Sequence, residues 1–316
     1  MTSKAALRIE VGEVSAFVSR SGQGEPVVLL HCSGWSHAQW RPLAASLAAR
    51  HEVYAPDLIG YGATSGWTGR GRFCLAHEAA VVRSLIGGLG RPVHLVGHSY
   101  GGAVALHVAR TRPDLVSSLV LVEPSAFHLL RERGAVERAA LAEITAVARG
   151  VQESLASGDY RAGYGRFLDY WSGPGAWAAL PEERRLAGAA QLAKVALDFT
   201  ALLEEPAGID DMRDMAVPTF LLHGGCTTLP SQSVCRMLHE ALPRSGAARI
   251  ALAAGVPLVP AGIRGTSGLW RLGRLRVRYG PPVPLDDLRD LAHARAARVA
   301  TQRLMDAIAE LEASLT

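Results

Sequence analysis

The chain has 316 residues, of which 49% are hydrophobic and 20% are charged, and its formal net charge is +4. This composition predicts a folded globular protein rather than a disordered chain, and so small a net charge gives no indication of a nucleic-acid partner. The cysteines at positions 32, 74, 226 and 235 show no C-x-x-C spacing, so the sequence indicates neither a zinc site nor a disulfide framework.

The first half of the chain alternates short apolar segments with helical patterns. Residues 6–14 and 15–21 predict an opening hairpin, and a helix is expected over 75–89. Short apolar strands are expected at 27–31, 53–55, 93–96 and 119–122, and the strand pattern returns at 218–223 before a helix over 231–242. Continuous apolar strands separated by helices are typical of a parallel sheet that is covered on both faces.

A change of composition divides the chain. Residues 125–206 are rich in alanine, arginine and aromatic residues and have helical patterns, which predicts a helical cap inserted into the core. The predicted organisation is therefore a first part of the core at 1–124, the cap at 125–206, a second part of the core at 207–243, and a separate C-terminal segment at 244–316.

Residues 97–101 read Gly-His-Ser-Tyr-Gly and lie between the strand at 93–96 and a helix of small residues. Glycines on both sides of the serine allow a strand-to-helix turn that is too tight for a Cβ atom. Such a turn exposes Ser99 Oγ and points the N-terminus of the helix at the reacting centre. The pattern therefore predicts a nucleophile elbow with Ser99 as the nucleophile.

Three motifs, at residues 29–34, 56–62 and 97–101, resemble the α/β-hydrolase superfamily in their order and spacing, over about residues 5–243. The resemblance implies an α/β fold with a mostly parallel sheet, helices on both faces and a helical cap. Within the superfamily the chain is similar to the esterase-like branch. This implies hydrolysis of carboxylic esters through an acyl-enzyme on Ser99, with a small-molecule acyl ester as the substrate.

The resemblance also implies an oxyanion hole formed by the backbone N–H groups of Ser33 and Tyr100. Family members usually carry His-Gly where this chain has His31 and Cys32. Because backbone amides bind the oxyanion, the cysteine need not abolish the hole. His31 is expected to organise the loop rather than to act as a base, and a nucleophilic role for the Cys32 thiol is the weaker alternative to Ser99.

The catalytic acid is expected at Glu123, at the end of the strand beside the elbow. The family's usual position for the acid follows the strand ending at His223, and residues 224–230 contain no carboxylate there. A carboxylate at position 123 could orient a histidine and stabilise its charged form. The alternative is a loop acid with a structural role, and Asp57 is expected to be structural as well.

The histidine base is missing from its expected place. The family's histidine follows the last strand, but beyond His223 the chain has only His239 and His293, both within helical patterns. His223 and His98 are only slightly better candidates. Two other functions therefore stay open, a non-catalytic binding protein of the hydrolase fold and an acyltransferase that acts on a glycerolipid.

The C-terminal segment, about 244–316, resembles the end of the 1-acylglycerol-3-phosphate acyltransferases, most clearly in Val-Pro-Leu-Val-Pro at 256–260. It lacks that family's catalytic His-x-x-x-x-Asp. Segments 256–263 and 275–279 are expected to add strands to the edge of the main sheet, followed by a helix over 286–315. The segment carries seven arginines and no acidic residue between positions 244 and 285, which suits weak contact with phosphate or an anionic membrane surface, or a solvated strand edge.

The first residues, Met-Thr-Ser-Lys-Ala, lack the apolar core of a signal peptide, and no apolar run is long enough to span a bilayer. We therefore expect a cytoplasmic protein. No metal-binding or nucleotide-binding motif is present, so the sequence implies no cofactor.

Overall fold

The computed structural model describes residues 5–132, 134–243, 252, 258–264, 276–288, 291 and 293–315. The chain divides into two compact units, residues 1–243 and residues 244–316.

The larger unit is built on a seven-stranded sheet with the strand order β1-β2-β4-β3-β5-β6-β7. The first two strands and the β2–β4 pair are antiparallel, and the other neighbours are parallel. The strands are β1 Ala5–Val11, β2 Val14–Ser21, β3 Glu25–Leu30, β4 His51–Pro56, β5 Val93–His98, β6 Val116–Val122 and β7 Thr219–Leu222. The predicted mostly parallel α/β architecture is thus confirmed.

Helices connect the parallel strands, and four of them lie between β6 and β7, where the sequence predicts a helical cap. The helices are α1 Arg41–Leu47, α2 Leu75–Leu89, α3 Tyr100–Thr111, α4 Ala135–Ala156, α5 Tyr160–Ser172, α6 Glu182–Ala189, α7 Leu192–Glu204 and α8 Leu229–Ala241. No single helix in the described ranges is both long and apolar enough to cross a membrane, although α6 and α7 pass by length and composition as a pair bent by 50°.

The side chains of β3 are apolar at successive positions because both faces of this strand are buried. Val28 and Leu30 belong to the large core on one face, whereas Val27 and Leu29 pack in a smaller cluster with α1 on the other. Because successive side chains of a strand point to opposite faces, a strand covered on both faces must be apolar at every position. This arrangement fixes the carboxyl ends of β3, β5 and β6 side by side, where the candidate site lies.

The smaller unit has a two-stranded antiparallel sheet, β8 Ala261–Arg264 with β9 Arg276–Tyr279, and a helix α9, His293–Ala313. Its core consists of Leu258, Val283, Leu288, Ala296 and Ala300. The prediction that these strands extend the main sheet is wrong, because β8 and β9 pair with each other in a separate two-stranded sheet.

The C-terminal segment differs from its predicted form in its helix, and most of its predicted basic surface lies outside the described residues. The predicted helix over 286–315 is replaced by a short 3₁₀ turn, Asp286–Leu288, and the shorter α9. Of the seven arginines, only Arg278 has a described side chain, which is exposed and donates to Ser314 Oγ at 2.8 Å. The other six side chains lie outside the described part, so the expected phosphate or membrane contact stays a prediction.

Candidate active site

Ser99 occupies a strained turn between β5 and α3. Its φ of 51° and ψ of −115° lie in a region that residues with side chains rarely adopt. A Cβ atom at Gly97 would lie 2.3 Å from the Gly101 carbonyl oxygen, and one at Gly101 would lie 2.5 Å from the carbonyl oxygens of Leu30 and His31. Backbone therefore surrounds the turn closely, and both glycines are needed to place Ser99 at the N-terminus of α3.

The Ser99 hydroxyl has another serine, not a histidine, as its neighbour. Its Oγ lies 3.0 Å from Ser125 Oγ, and the two residues are also tied by a hydrogen bond from Ser125 N–H to the Ser99 carbonyl, 3.0 Å. No histidine side chain that the structure describes is hydrogen-bonded to Ser99. The side chain of His293 lies outside the described residues.

The two predicted oxyanion-hole amides have no protein acceptor in the two long described ranges of the larger unit. Within residues 5–132 and 134–243, no carbonyl or side chain accepts a hydrogen bond from the backbone N–H of Ser33 or Tyr100. The neighbouring amide of Cys32, by contrast, donates to Gln39 Oε1 at 3.0 Å. Burial raises the pKa of the Cys32 thiol to about 12, which argues against a thiolate nucleophile at this position.

Glu123 follows β6 with a positive φ of 44° and ties down the loop after β7. Its Oε1 accepts from the Gly224 N–H at 2.8 Å and its Oε2 accepts from the Thr227 hydroxyl at 2.9 Å. These contacts match the structural alternative for this residue, and neither oxygen meets a described histidine. A catalytic role for Glu123 stays a prediction.

His31 organises the loop between β3 and α1, as the sequence predicts. Its Nδ1 donates to the carbonyl of Cys32 at 2.8 Å, and its Nε2 accepts from the Leu58 N–H at 2.9 Å. Burial lowers the pKa of His31 to about 4. The ring is therefore neutral at pH 7, and both of its nitrogens are used by backbone groups.

The side chains of the two slightly better base candidates are not hydrogen-bonded to Ser99 either. His98 is hydrogen-bonded to Gln39 through Nδ1, 2.9 Å from Nε2 of that side chain, and its ring meets Trp40 edge-on. Burial lowers the pKa of His98, and the nearby Glu123 carboxylate opposes that shift. His223 is exposed and uses Nδ1 to donate to the Gly224 carbonyl at 3.1 Å.

Neutral buried histidines predict that the protein loses stability in mild acid. Burial lowers the pKa of His128 to about 4, against the opposing effect of Glu205, as it does for His31. Between about pH 6.5 and pH 4 the unfolded chain binds protons that the folded chain does not, so stability falls as pH falls through this range. At 1.36 kcal/mol per pKa unit, each of the two histidines lowers the free energy of unfolding at pH 4.5 by on the order of 2–3 kcal/mol relative to neutral pH.

Urea unfolding at pH 7.5 and pH 4.5 checks this expectation. We expect His128→Leu to lose about 2–3 kcal/mol less free energy of unfolding than the wild type between the two pH values. Equal losses in the two proteins would contradict the argument.

A narrow pocket opens beside Ser99. Its polar wall consists of three hydroxyl side chains, Ser33, Ser99 and Ser125, and one carboxylate, Asp198. Its apolar wall comes from the helical segment between β6 and β7 and consists of Phe127, Phe167, Trp171, Phe199 and Leu202. This lining suits a small apolar group beside the serine hydroxyls.

A buried charged network behind the pocket is absent from the sequence predictions. Lys194 and Asp198, one turn apart on α7, form an ion pair, and Lys194 Nζ also lies 3.1 Å from Oε1 of Glu78 on α2. The signal in the sequence is the pair of charges four residues apart in an otherwise apolar helix, Leu-Ala-Lys-Val-Ala-Leu-Asp-Phe. A charge on such a buried face requires a partner from elsewhere in the fold.

Comparisons with known proteins agree with the fold. A family model described as the alpha/beta hydrolase fold matches residues 25–246. The chain is 29% identical to a pimeloyl-[acyl-carrier protein] methyl ester esterase of Aeromonas hydrophila subsp. hydrophila over 254 residues, 78% of this chain and 94% of that protein. It is 36% identical over 115 residues to lipase LipV of Mycobacterium tuberculosis, 35% of this chain and 42% of the lipase.

Solved structures of alpha/beta hydrolases resemble about three quarters of the chain. One from Sphaerobacter thermophilus has a TM-score of 0.60 at 20% identity and covers 76% of this chain and 90% of its own. MGS-M2, from a deep-sea metagenome library, has a TM-score of 0.63 at 17% identity, with 76% and 86% covered. At these identities the structural likeness concerns the fold.

Proposed function

This chain belongs to the α/β-hydrolase family, and we propose from that premise that it is a serine hydrolase of carboxylic esters with Ser99 as the nucleophile. One observation carries the proposal: Ser99 is held at positive φ, at the N-terminus of α3, and its hydroxyl lines a largely apolar pocket. Backbone strain of this kind is retained where the position of a side chain matters for function. The Aeromonas relative, which is named as a methyl ester esterase, supports the same reaction class.

The proposed reaction begins with attack of Ser99 Oγ on the ester carbonyl carbon. The N–H groups of Ser33 and Tyr100 bind the carbonyl oxygen as it becomes negative, and the bond to the leaving alcohol then breaks. The Ser99 proton passes through the Ser125 hydroxyl to water or to the departing alkoxide. Water then hydrolyses the acyl-enzyme and regenerates Ser99.

The pocket, and the lack of a histidine base among the described side chains, together suggest the substrate class. The aromatic wall favours an apolar acyl group, and the narrowness of the pocket favours a short one. Because no described histidine stands ready to protonate the leaving group, esters with acidic leaving groups, such as aryl esters, should react much faster than alkyl esters.

A second candidate function is ligand binding without turnover. The observation in its favour is the hydrogen bond of Ser99 Oγ to Ser125 in place of a histidine. Nucleophile and base act as a unit in triads, so losing the base removes most of the advantage of the nucleophile. The acyltransferase activity implied by the C-terminal resemblance stays a prediction, and it requires acyl-CoA consumption that depends on lysophosphatidate.

A panel of short-chain aryl esters with purified protein tests the proposal. We expect saturable hydrolysis about 10³–10⁴-fold above the uncatalysed rate, the level that an oxyanion hole and binding support without a complete triad. A burst of the released phenol, at one equivalent per protein, should precede the steady state if the acyl-enzyme accumulates. Binding of the esters with no turnover above buffer would instead support the second candidate.

A further inference from the structure

The two residues of the proposed oxyanion hole are anchored by their own side chains. The Ser33 hydroxyl donates to Asp198 Oδ2 at 2.6 Å, and the Tyr100 hydroxyl donates to Glu78 Oε1 at 3.2 Å. Lys194 bonds to both of these carboxylates. One buried cation therefore connects the side chains of both residues whose N–H groups would bind the oxyanion.

The three charged groups are held in a dry environment. The exposed fractions are 7% for Lys194, 1% for Asp198 and 0% for Glu78. The ammonium also lies over the rings of Tyr61 and Tyr100, 4.6 Å from each centroid. A buried charge without a partner costs several kcal/mol, so each member of the network keeps the other two in place.

The remaining hydrogen bonds of the network lead to the loop after β4. Asp198 Oδ2 also accepts from the Tyr61 hydroxyl at 2.6 Å, and Glu78 Oε2 accepts from the Ile59 N–H at 3.0 Å. Both carboxylates are thereby fixed by groups besides Lys194. A carboxylate fixed in this way makes a rigid anchor for the hydroxyl groups that donate to it.

We propose that Lys194, Asp198 and Glu78 are positioning residues for the oxyanion hole. They act through the Ser33 and Tyr100 hydroxyls to hold the two N–H groups at the place where the oxyanion forms. This inference rests on the proposed hydrolase function.

Position matters because an oxyanion hole works only when its donors lie about 3 Å from the developing charge. Asp198 and Lys194 belong to α7, in the helical segment, whereas Glu78 and Tyr100 belong to helices that pack on the sheet. The hole is therefore complete only when α7 is seated on the core. Contacts in the helical segment thus determine the position of the oxyanion hole as well as the shape of substrate that the pocket accepts.

Two minimal variants test the proposal, because each removes one hydroxyl and keeps the backbone N–H. For Ser33→Ala and Tyr100→Phe we expect kcat to fall about 10–100-fold with KM changed less than about twofold, since the hole is displaced rather than deleted. Fluorophosphonate labelling should slow by a similar factor.

Ser118→Ala and Tyr170→Phe serve as matched controls. Ser118→Ala removes a hydroxyl that is hydrogen-bonded to His94 at 2.8 Å, and Tyr170→Phe removes one that is hydrogen-bonded to Glu143 at 2.6 Å. Both hydrogen bonds lie outside the network. They are expected to retain wild-type kcat and labelling.

Asp198→Asn adds a test of the connection. In the Ser33→Ala background it should lower kcat by less than it does in the wild type, because the shared hydrogen bond is already gone. Wild-type kcat and labelling rates in both Ser33→Ala and Tyr100→Phe would overturn the positioning role. If the wild type neither hydrolyses esters nor labels, the proposed function fails and this inference fails with it.

Discussion

Ser99→Ala is expected to abolish the burst and to lower the steady-state turnover of aryl esters at least about tenfold. The reason is that the variant keeps the oxyanion hole and the pocket but can form no acyl-enzyme. In an intact triad, removal of the nucleophile costs several orders of magnitude more. Here the expected loss of turnover is smaller, because Ser99 Oγ is hydrogen-bonded to Ser125 Oγ and no described histidine activates it.

Turnover of the aryl ester panel, measured with wild type, Ser99→Ala and the Ser118→Ala control, gives this difference directly. Far-ultraviolet circular dichroism establishes that the variants are folded. Equal turnover in Ser99→Ala and wild type would show that the measured hydrolysis does not pass through Ser99.

Lys194→Met is expected to lower the free energy of unfolding by about 3–5 kcal/mol. The substitution keeps the length and apolar stem of the side chain but leaves the Asp198 and Glu78 carboxylates buried without their cation. Burial already raises the pKa of Glu78. Protonation of Glu78 at low pH removes its uncompensated charge, so the loss should shrink as the pH is lowered.

Urea denaturation at pH 7.5 measures the effect, and Arg161→Met is the matched control. Arg161 pairs with Glu182 at 2.6 Å, but the two side chains are 47% and 52% exposed. Exposed pairs of this kind contribute little to stability, so Arg161→Met should have little effect. A loss in Lys194→Met no larger than in Arg161→Met would contradict the account of the buried network.

Much of the larger unit could be predicted because its signals are local. The apolar run of β5, the glycines at 97 and 101 and the small residues of α3 determine the elbow from a stretch of fewer than twenty residues. The helix at 75–89 and the antiparallel β1–β2 hairpin also follow from local patterns. Such periodic segments carry their structure in the spacing of their apolar residues.

The parts that the sequence did not predict depend on contacts between distant segments. Lys194 and Glu78 are 116 residues apart, and nothing near either residue names the other as its partner. The pairing of β8 with β9 was mistaken for pairing with the main sheet, since an apolar strand pattern predicts a strand but not its neighbour. Glu123 could be placed beside the elbow, but only the fold shows that its oxygens accept from Gly224 and Thr227.

The sequence carries no histidine at the place where the family has its base, and this absence is itself informative. His223 and His98 were the better of four poor candidates, and both bond to groups other than Ser99. Their positions follow from the register of β7 and β5, which the apolar patterns place well. A nucleophile elbow without a histidine partner among the described side chains is therefore the feature that any functional account of this protein must accommodate.

Peptide mapping by mass spectrometry after fluorophosphonate treatment tests the central claim, that Ser99 is a working nucleophile, most directly. We expect one covalent adduct per chain, located on Ser99 and absent from Ser99→Ala. Wild-type protein that carries no adduct, or an adduct on another residue, would contradict it.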